Sequence, residues 1–149
     1  MNNLFHRQTQ DIVIQRIQRL TPESQPIWGK MNAAQMLRHC EIILRESLGT
    51  PPLKRMWLGY IFGARAKKKF LSASVFKPGE YTAPRMVVLT DQNFQSAKDD
   101  LIQCIHDFCQ QGAEKYDGRL HGFFGVMTAD EWGTLQFNHL NHHLTQFAL

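Results

Sequence analysis

Apolar residues recur at helical spacing in four stretches of the chain, and alternation of the kind a half-buried strand needs is almost absent. The first stretch runs roughly from Asn3 to Leu20, where Val13, Ile17 and Leu20 make a stripe with Ile14 beside them. "TPESQPIWGK" breaks it with prolines and a glycine. The second starts at Asn32, where Asn32 and Gln35 fit a capping box. Met36, Leu37, Cys40, Ile43, Leu44 and Leu48 follow on one side, and "GTPP" ends it. The third runs roughly from Gln92 to Gln111, with Phe94, Leu101, Ile105 and Phe108 sharing a face. The last starts at Thr128, again with a capping box to Glu131, and continues to near the C-terminus.

The segments between them read less regularly. Leu53 to about Leu71 suggests a basic helix interrupted by Gly59 and Gly63, which lower helix propensity. "SASVFKPGEYTAPRMVVLT" reads mostly as a long loop with a short extended piece around Met86–Leu89, and "GAEKYDGRLHGFFGVM" as a second loop. The pattern predicts an all-α fold in one domain over residues 1–149, of the kind in which amphipathic helices pack as a four-helix bundle. A length of 149 residues suffices to bury a sizeable core.

Composition narrows the class further. Hydrophobic residues at 43% and charged residues at 20% exclude an intrinsically disordered chain. "MNNLFHRQTQDIVIQ" lacks the pattern of a secretory signal, and no apolar run is long enough for a membrane span, so the expectation is a cytoplasmic protein. Cys40, Cys104 and Cys109 follow no CxxC spacing and read as buried thiols. Cys40, beside His39, is the only one placed to act as a reactive thiol. The net charge of +4 permits an anionic partner without requiring one. Much of the excess lies in "LKRMWLGYIFGARAKKKF", whose basic segment is residues 54–69.

The candidate chemistry lies in "FNHLNHHLTQF". At about 100° per residue, His139 and His143 lie within about 40° of each other. Both fall in the apolar arc formed by Trp132, Leu135, Leu140 and Phe147. His142 lies at its border, while Asn138, Asn141 and Thr145 face the other way. Two imidazoles stacked one turn apart on a buried face need partners, because an unpaired buried polar group costs about 1–3 kcal/mol. Water or backbone carbonyls can satisfy core histidines. A divalent metal such as Zn²⁺, Ni²⁺ or Fe²⁺ does so too, since histidines at i and i+4 converge on one ion. A third ligand must then come from elsewhere. His39, at the edge of the second helix's apolar face, is the best placed. His106 lies on a polar border, His6 near the N-terminus and His121 in a loop. The absence of HExxH excludes a zincin-type site.

"WGKMNAAQMLRHCEIILRESLG" and "HGFFGVMTADEWGTLQFNHLNHHLTQFAL" resemble the two signature blocks of DinB/YfiT-like proteins, most closely a bacterial branch under a domain-of-unknown-function label. In that superfamily a tryptophan and a capped helix lead into a ligand histidine, and a later helix supplies an HxxxH pair. Trp28 with His39, then His139 with His143, match those positions. The resemblance implies a DinB-like four-helix bundle with a long crossover connection and a three-histidine site for a divalent metal. It does not by itself supply a reaction: the superfamily includes metal-dependent thiol transferases that use low-molecular-weight thiols, as well as hydrolase-like and isomerase-like members, and the expectation here is thiol transfer or hydrolysis of a small molecule. "HGFFG" departs from relatives that carry a proline after the histidine, which leaves any role for His121 open.

Three histidines would leave coordination positions free, as a catalytic metal needs. Glu46, about 20° from His39 on the helical wheel, is the candidate base, with an ion-paired or solvated glutamate as the alternative. Asp130 and Glu131 read as first-turn acids favoured by the helix dipole. Trp28, Trp132, Phe123 and Phe124 are expected to line the site or pack in the core. A second reading is a non-catalytic bundle whose segment 54–69 binds an anionic partner. There Arg65, Lys67, Lys68 and Lys69, near Trp57, Tyr60 and Phe62, would touch a membrane surface or, less expected, nucleic acid, with a solvated helix end of snorkelling lysines as the plainer reading. A homodimer through an exposed bundle face is compatible with the pattern.

Overall fold

Both capping boxes expected from the sequence are formed, and they fix where the two site-bearing helices begin. Asn32 accepts from the Gln35 amide at 2.9 Å and Gln35 accepts from that of Asn32 at 3.0 Å, starting α2 (Ala33–Ser47). Thr128 and Glu131 do the same for α5 (Ala129–Gln146) at 3.2 and 2.9 Å. The computed structural model describes residues 2–49, 54–72, 76 and 86–149. Within them the chain is mostly helical. α1 (Arg7–Gln18), α2, α3 (Trp57–Ser72), α4 (Phe94–Gln110) and α5 follow in order, with a short 3-10 turn at Ala113–Tyr116. Antiparallel strands β1 (Arg119–His121) and β2 (Gly125–Met127) precede α5.

Two expectations are corrected. The "GAEKYDGRLHGFFGVM" stretch is not simply a loop: it contains the β1–β2 hairpin, with His121 opposite Gly125. Strands of three residues are too short for alternation to register. Met86–Leu89 forms no strand, in keeping with the long-loop reading, and residues 73–75 and 77–85 of that expected loop lie outside the described residues. The first helix begins at Arg7 rather than Asn3. Asn3 instead donates to Asp130 Oδ1 at 2.7 Å and accepts from the Phe5 amide at 2.9 Å, pinning the N-terminal segment to the start of α5.

One core unites α1, α2, α4 and α5. Val13 and Ile17, Met36, Leu37 and Leu44, Leu101, Ile105 and Phe108, and Trp132 and Leu140 are all buried in it. Each such side chain contributes about 1.5–3 kcal/mol on leaving water. Phe5, Phe108, Tyr116 and Trp132 form a run of ring contacts at 4.6–5.7 Å along one end. α2 and α4 are also joined through Arg38, whose guanidinium reaches Asp100 at 2.9 Å and the buried Glu41 at 3.1 Å. Arg45 closes on the same Glu41 carboxylate, so this buried charge has two cationic partners. The cysteines are free thiols, Cys40 and Cys104 buried and Cys109 half-buried.

α3 packs outside this core, against α5 and the hairpin. The glycines that weaken its helix propensity are what allow the contact. Gly59 and Gly63 sit one turn apart directly against the Phe123 carbonyl, where a Cβ at either position would overlap it. Arg55 donates to that carbonyl at 2.6 Å and to Gly59 O at 2.7 Å. Asn138, expected to face away from the apolar arc, is instead buried and donates to Phe70 O at 2.9 Å and Leu71 O at 3.2 Å. The reason is that α3 covers the flank of α5 that a one-sided helical wheel assigns to solvent. Gly63→Ala should therefore cost about 1–3 kcal/mol by overpacking, despite alanine's better helix propensity. Urea denaturation measures this, and an unchanged or raised stability would show that α3 docks differently.

Candidate metal centre

His39 reaches the site from α2, while His139 and His143 reach it from α5, one turn apart. The structure brings all three together: one imidazole nitrogen from each lies within 4.8 Å of the other two. The ring centroids are 4.7–5.2 Å apart. His39 and His143 are buried, and His139 keeps part of its surface on the cavity described below.

Hydrogen bonds fix which nitrogen His39 and His143 offer. His39 Nδ1 lies 2.8 Å from the Met86 carbonyl. A carbonyl only accepts, so Nδ1 carries the proton and Nε2 presents a lone pair. His143 Nδ1 lies 2.9 Å from Gln146 Oε1. The orientation of that amide follows from its other end, where Gln146 Nε2 donates to the Trp28 carbonyl at 2.7 Å. His143 Nδ1 therefore donates, and its Nε2 is left with a lone pair. Gly29, at φ +88°, lets the Trp28–Gly29 backbone lie against Gln146, and a Cβ there would strike the amide.

The charged forms of these rings are disfavoured. Burial lowers the His39 pKa, against the Met86 hydrogen bond, which raises it. Burial first, then His143, His39 and His142, hold His139 well below the ordinary histidine value. Burial pushes His143 down to about 3, helped by His39. Neutral imidazoles, with Nε2 lone pairs on His39 and His143, make a metal's donor set. The fit is good at the His39–His139 edge, where the Nε2 atoms are 3.2 Å apart. Metal–nitrogen bonds of about 2.0–2.1 Å span about 3.3 Å across a tetrahedral edge. The widest separation in the group would have to contract. All-imidazole donors suit Zn²⁺, Ni²⁺ or Fe²⁺ rather than Mg²⁺ or Ca²⁺.

Beside the histidines lies a cavity of about 640 Å³. Trp28, Trp132, Phe123 and Phe124 all line it, as do Phe70 and Phe76. Glu46 lines it too and is the one carboxylate among the described lining residues. His121 also lines it, with Nδ1 accepting from the Phe123 and Phe124 amides at 3.1 Å and its ring stacked on Phe124 at 4.4 Å. His6 and His106 are exposed elsewhere. Cys40 is not a reactive thiol of this site. It sits in the core with its Sγ 3.8 Å from Met36 Sδ, and burial raises its pKa strongly. Phe76 N donates to His142 Nδ1 at 3.1 Å, so His142, expected at the border of the arc, is buried and tied to the cavity wall.

Three contributors escaped the sequence reading. Gln146 lies three residues past His143, and an i, i+3 polar pair on an apolar face was the available signal. The Met86 and Trp28 carbonyls are backbone atoms and leave no trace in residue type.

Fold and site together define a mostly helical protein whose three clustered histidines could hold a metal ion. The chain belongs to the DUF1569 family, described as proteins of unknown function, whose family model matches residues 2–149. Neither curated proteins nor solved structures gave a match.

Two outcomes follow. Gln146→Leu should weaken metal affinity about 10–100-fold, because His143 loses the group that sets its tautomer. Gln146→Glu, which still accepts from His143, should lose less. A chelator-competition titration compares them, and equal affinities in all three proteins would remove Gln146 from the site. The second concerns pH. Histidines with folded pKa values below the ordinary 6.5 bind fewer protons folded than unfolded. Stability is then full above pH 6.5 and falls toward the folded value, about 3 for His143. Each histidine adds a slope of about 1.4 kcal/mol per pH unit. Urea melts of metal-stripped protein from neutral pH to about pH 5 should show that decline, and His143→Asn should flatten it. A level wild-type profile would contradict a neutral, buried cluster.

Proposed function

We propose that this chain is a DinB-like metalloprotein, a single four-helix-bundle domain over residues 1–149. In it His39, His139 and His143 hold one divalent ion for thiol transfer to, or hydrolysis of, a small molecule. The observation that carries the reading is the tautomer control. Met86 O and Gln146 Oε1 occupy the Nδ1 sides of His39 and His143 and leave both Nε2 atoms for a shared ligand.

When bound, the ion would supply Lewis acidity, making a thiol or water a better nucleophile at neutral pH. The chain's own groups do the rest. Trp28, Phe70, Phe76 and Phe123 exclude water and hold an apolar substrate body. Glu46, on the wall of the same cavity, accepts the proton that the nucleophile gives up. His39, His139 and His143 stay neutral and fixed throughout, because burial opposes their protonation.

The first test is metal content by elemental analysis of protein purified without a histidine tag. Wild type should carry about one equivalent of metal and His143→Ala should carry none. Glu46→Gln should keep the metal yet lower turnover about 10²–10⁴-fold on whatever substrate a screen of thiol transfer and hydrolysis finds. No metal in wild type, and none taken up from added Zn²⁺, Ni²⁺ or Mn²⁺, would leave the histidines as structural groups.

A further inference from the structure

α3 is built the wrong way round for a soluble helix. Its inner side is glycine, and the large apolar side chains of its first half point outward. Trp57 is 71% exposed, Tyr60 74%, Ile61 63% and Phe62 55%. Leu58 is exposed beside them. At about 100° per residue Trp57, Ile61 and Lys68 lie within about 40° of one another, opposite Gly59 and Gly63. Exposed apolar residues gathered on one short surface mark an interaction site.

Charge decides among occupants. Residues 47–79 contain seven of the chain's 17 Lys and Arg and none of its 13 Asp and Glu. The rest of the chain is therefore net acidic. On α3 the outward side changes along the axis, from Trp57, Tyr60, Ile61 and Phe62 at the first half to the exposed Arg65 and Lys68 at the second. Two copies of this face would set cations against cations, with no carboxylate on either helix to answer them. A nucleic acid would meet the cations but gain little from Leu58 and Ile61. An anionic lipid surface satisfies both halves, taking apolar and aromatic side chains at the acyl boundary and Arg and Lys at the headgroups. No helix of the described residues is long and apolar enough to cross a membrane, so any such contact is peripheral.

We propose that α3 is a membrane-docking helix that seats the protein on anionic bilayers through Trp57, Tyr60, Ile61 and Phe62, with Arg65 and Lys68 on the headgroups. The docked helix is also a wall of the cavity, through Leu58, Ala66 and Phe70. The docking does not depend on the metal reading.

The test is co-sedimentation with phosphatidylcholine vesicles, with and without phosphatidylglycerol. Wild type should pellet with the phosphatidylglycerol vesicles alone, and less so as salt rises. Ile61→Asp should abolish pelleting, and the double change Arg65→Glu with Lys68→Glu should weaken it at least about tenfold. Both variants replace exposed side chains, so their thermal melts should match wild type. Failure of wild type to pellet, or equal pelleting with pure phosphatidylcholine, overturns the proposal. So does a wild-type dimer in light scattering that Ile61→Asp dissociates, which assigns the face to a second copy. Single-stranded DNA binding that survives Ile61→Asp but not the charge reversal assigns it to nucleic acid instead.

Discussion

The structure depends on keeping three uncharged imidazoles inside a protein core. Each buried ring nitrogen without a partner costs about 1–3 kcal/mol, and each protonated ring would cost more. The chain meets this constraint from two sides. Backbone at Met86 and the Gln146 amide occupy the outer nitrogens of His39 and His143, and the inner nitrogens converge. Gln146 is in turn held by the Trp28 carbonyl, and Ile27 N donates to Gln146 O at 2.7 Å. The turn before α2 thus clamps the end of α5, and the position of His143 is tied to the segment that leads into His39.

That arrangement explains why α5 is buried on nearly every side. The core lies along Trp132, Leu140 and Leu144, the cavity along His139 and His143, and α3 along Asn138. Arg16 of α1 holds a further side, donating to Asn141 at 2.7 Å and to the Leu149 carbonyl at 2.7 Å. Polar residues on α5 are therefore partners to neighbouring elements rather than a solvated face. The first half of α3 has the opposite character, with glycines turned inward against the Phe123 carbonyl and its large apolar side chains outward.

Much of this was legible in the sequence, and the reasons are specific. HxxxH spacing puts His139 and His143 on one face because helix geometry leaves no other outcome. The capping boxes at Asn32 and Thr128 are local, so residue identity was enough to place both helix starts. His39 followed from its position at an apolar edge. Asn138 was misplaced because a helical wheel knows one neighbour, and α5 has several. The hairpin was missed because three-residue strands are shorter than any periodicity can reveal. Gly59 and Gly63 read as defects until the Phe123 carbonyl supplied their purpose.

The most direct measurement of the central claim is the tautomeric state of the histidines. Long-range ¹⁵N–¹H correlation spectra of metal-stripped protein resolve which nitrogen of each ring is protonated. The account predicts Nδ1–H rings for His39 and His143 at neutral pH, and a shift of the Nε2 resonances of His39, His139 and His143 together on adding one equivalent of Zn²⁺. Nε2–H tautomers at His39 and His143, or Zn²⁺ that leaves the three rings unmoved, would contradict it.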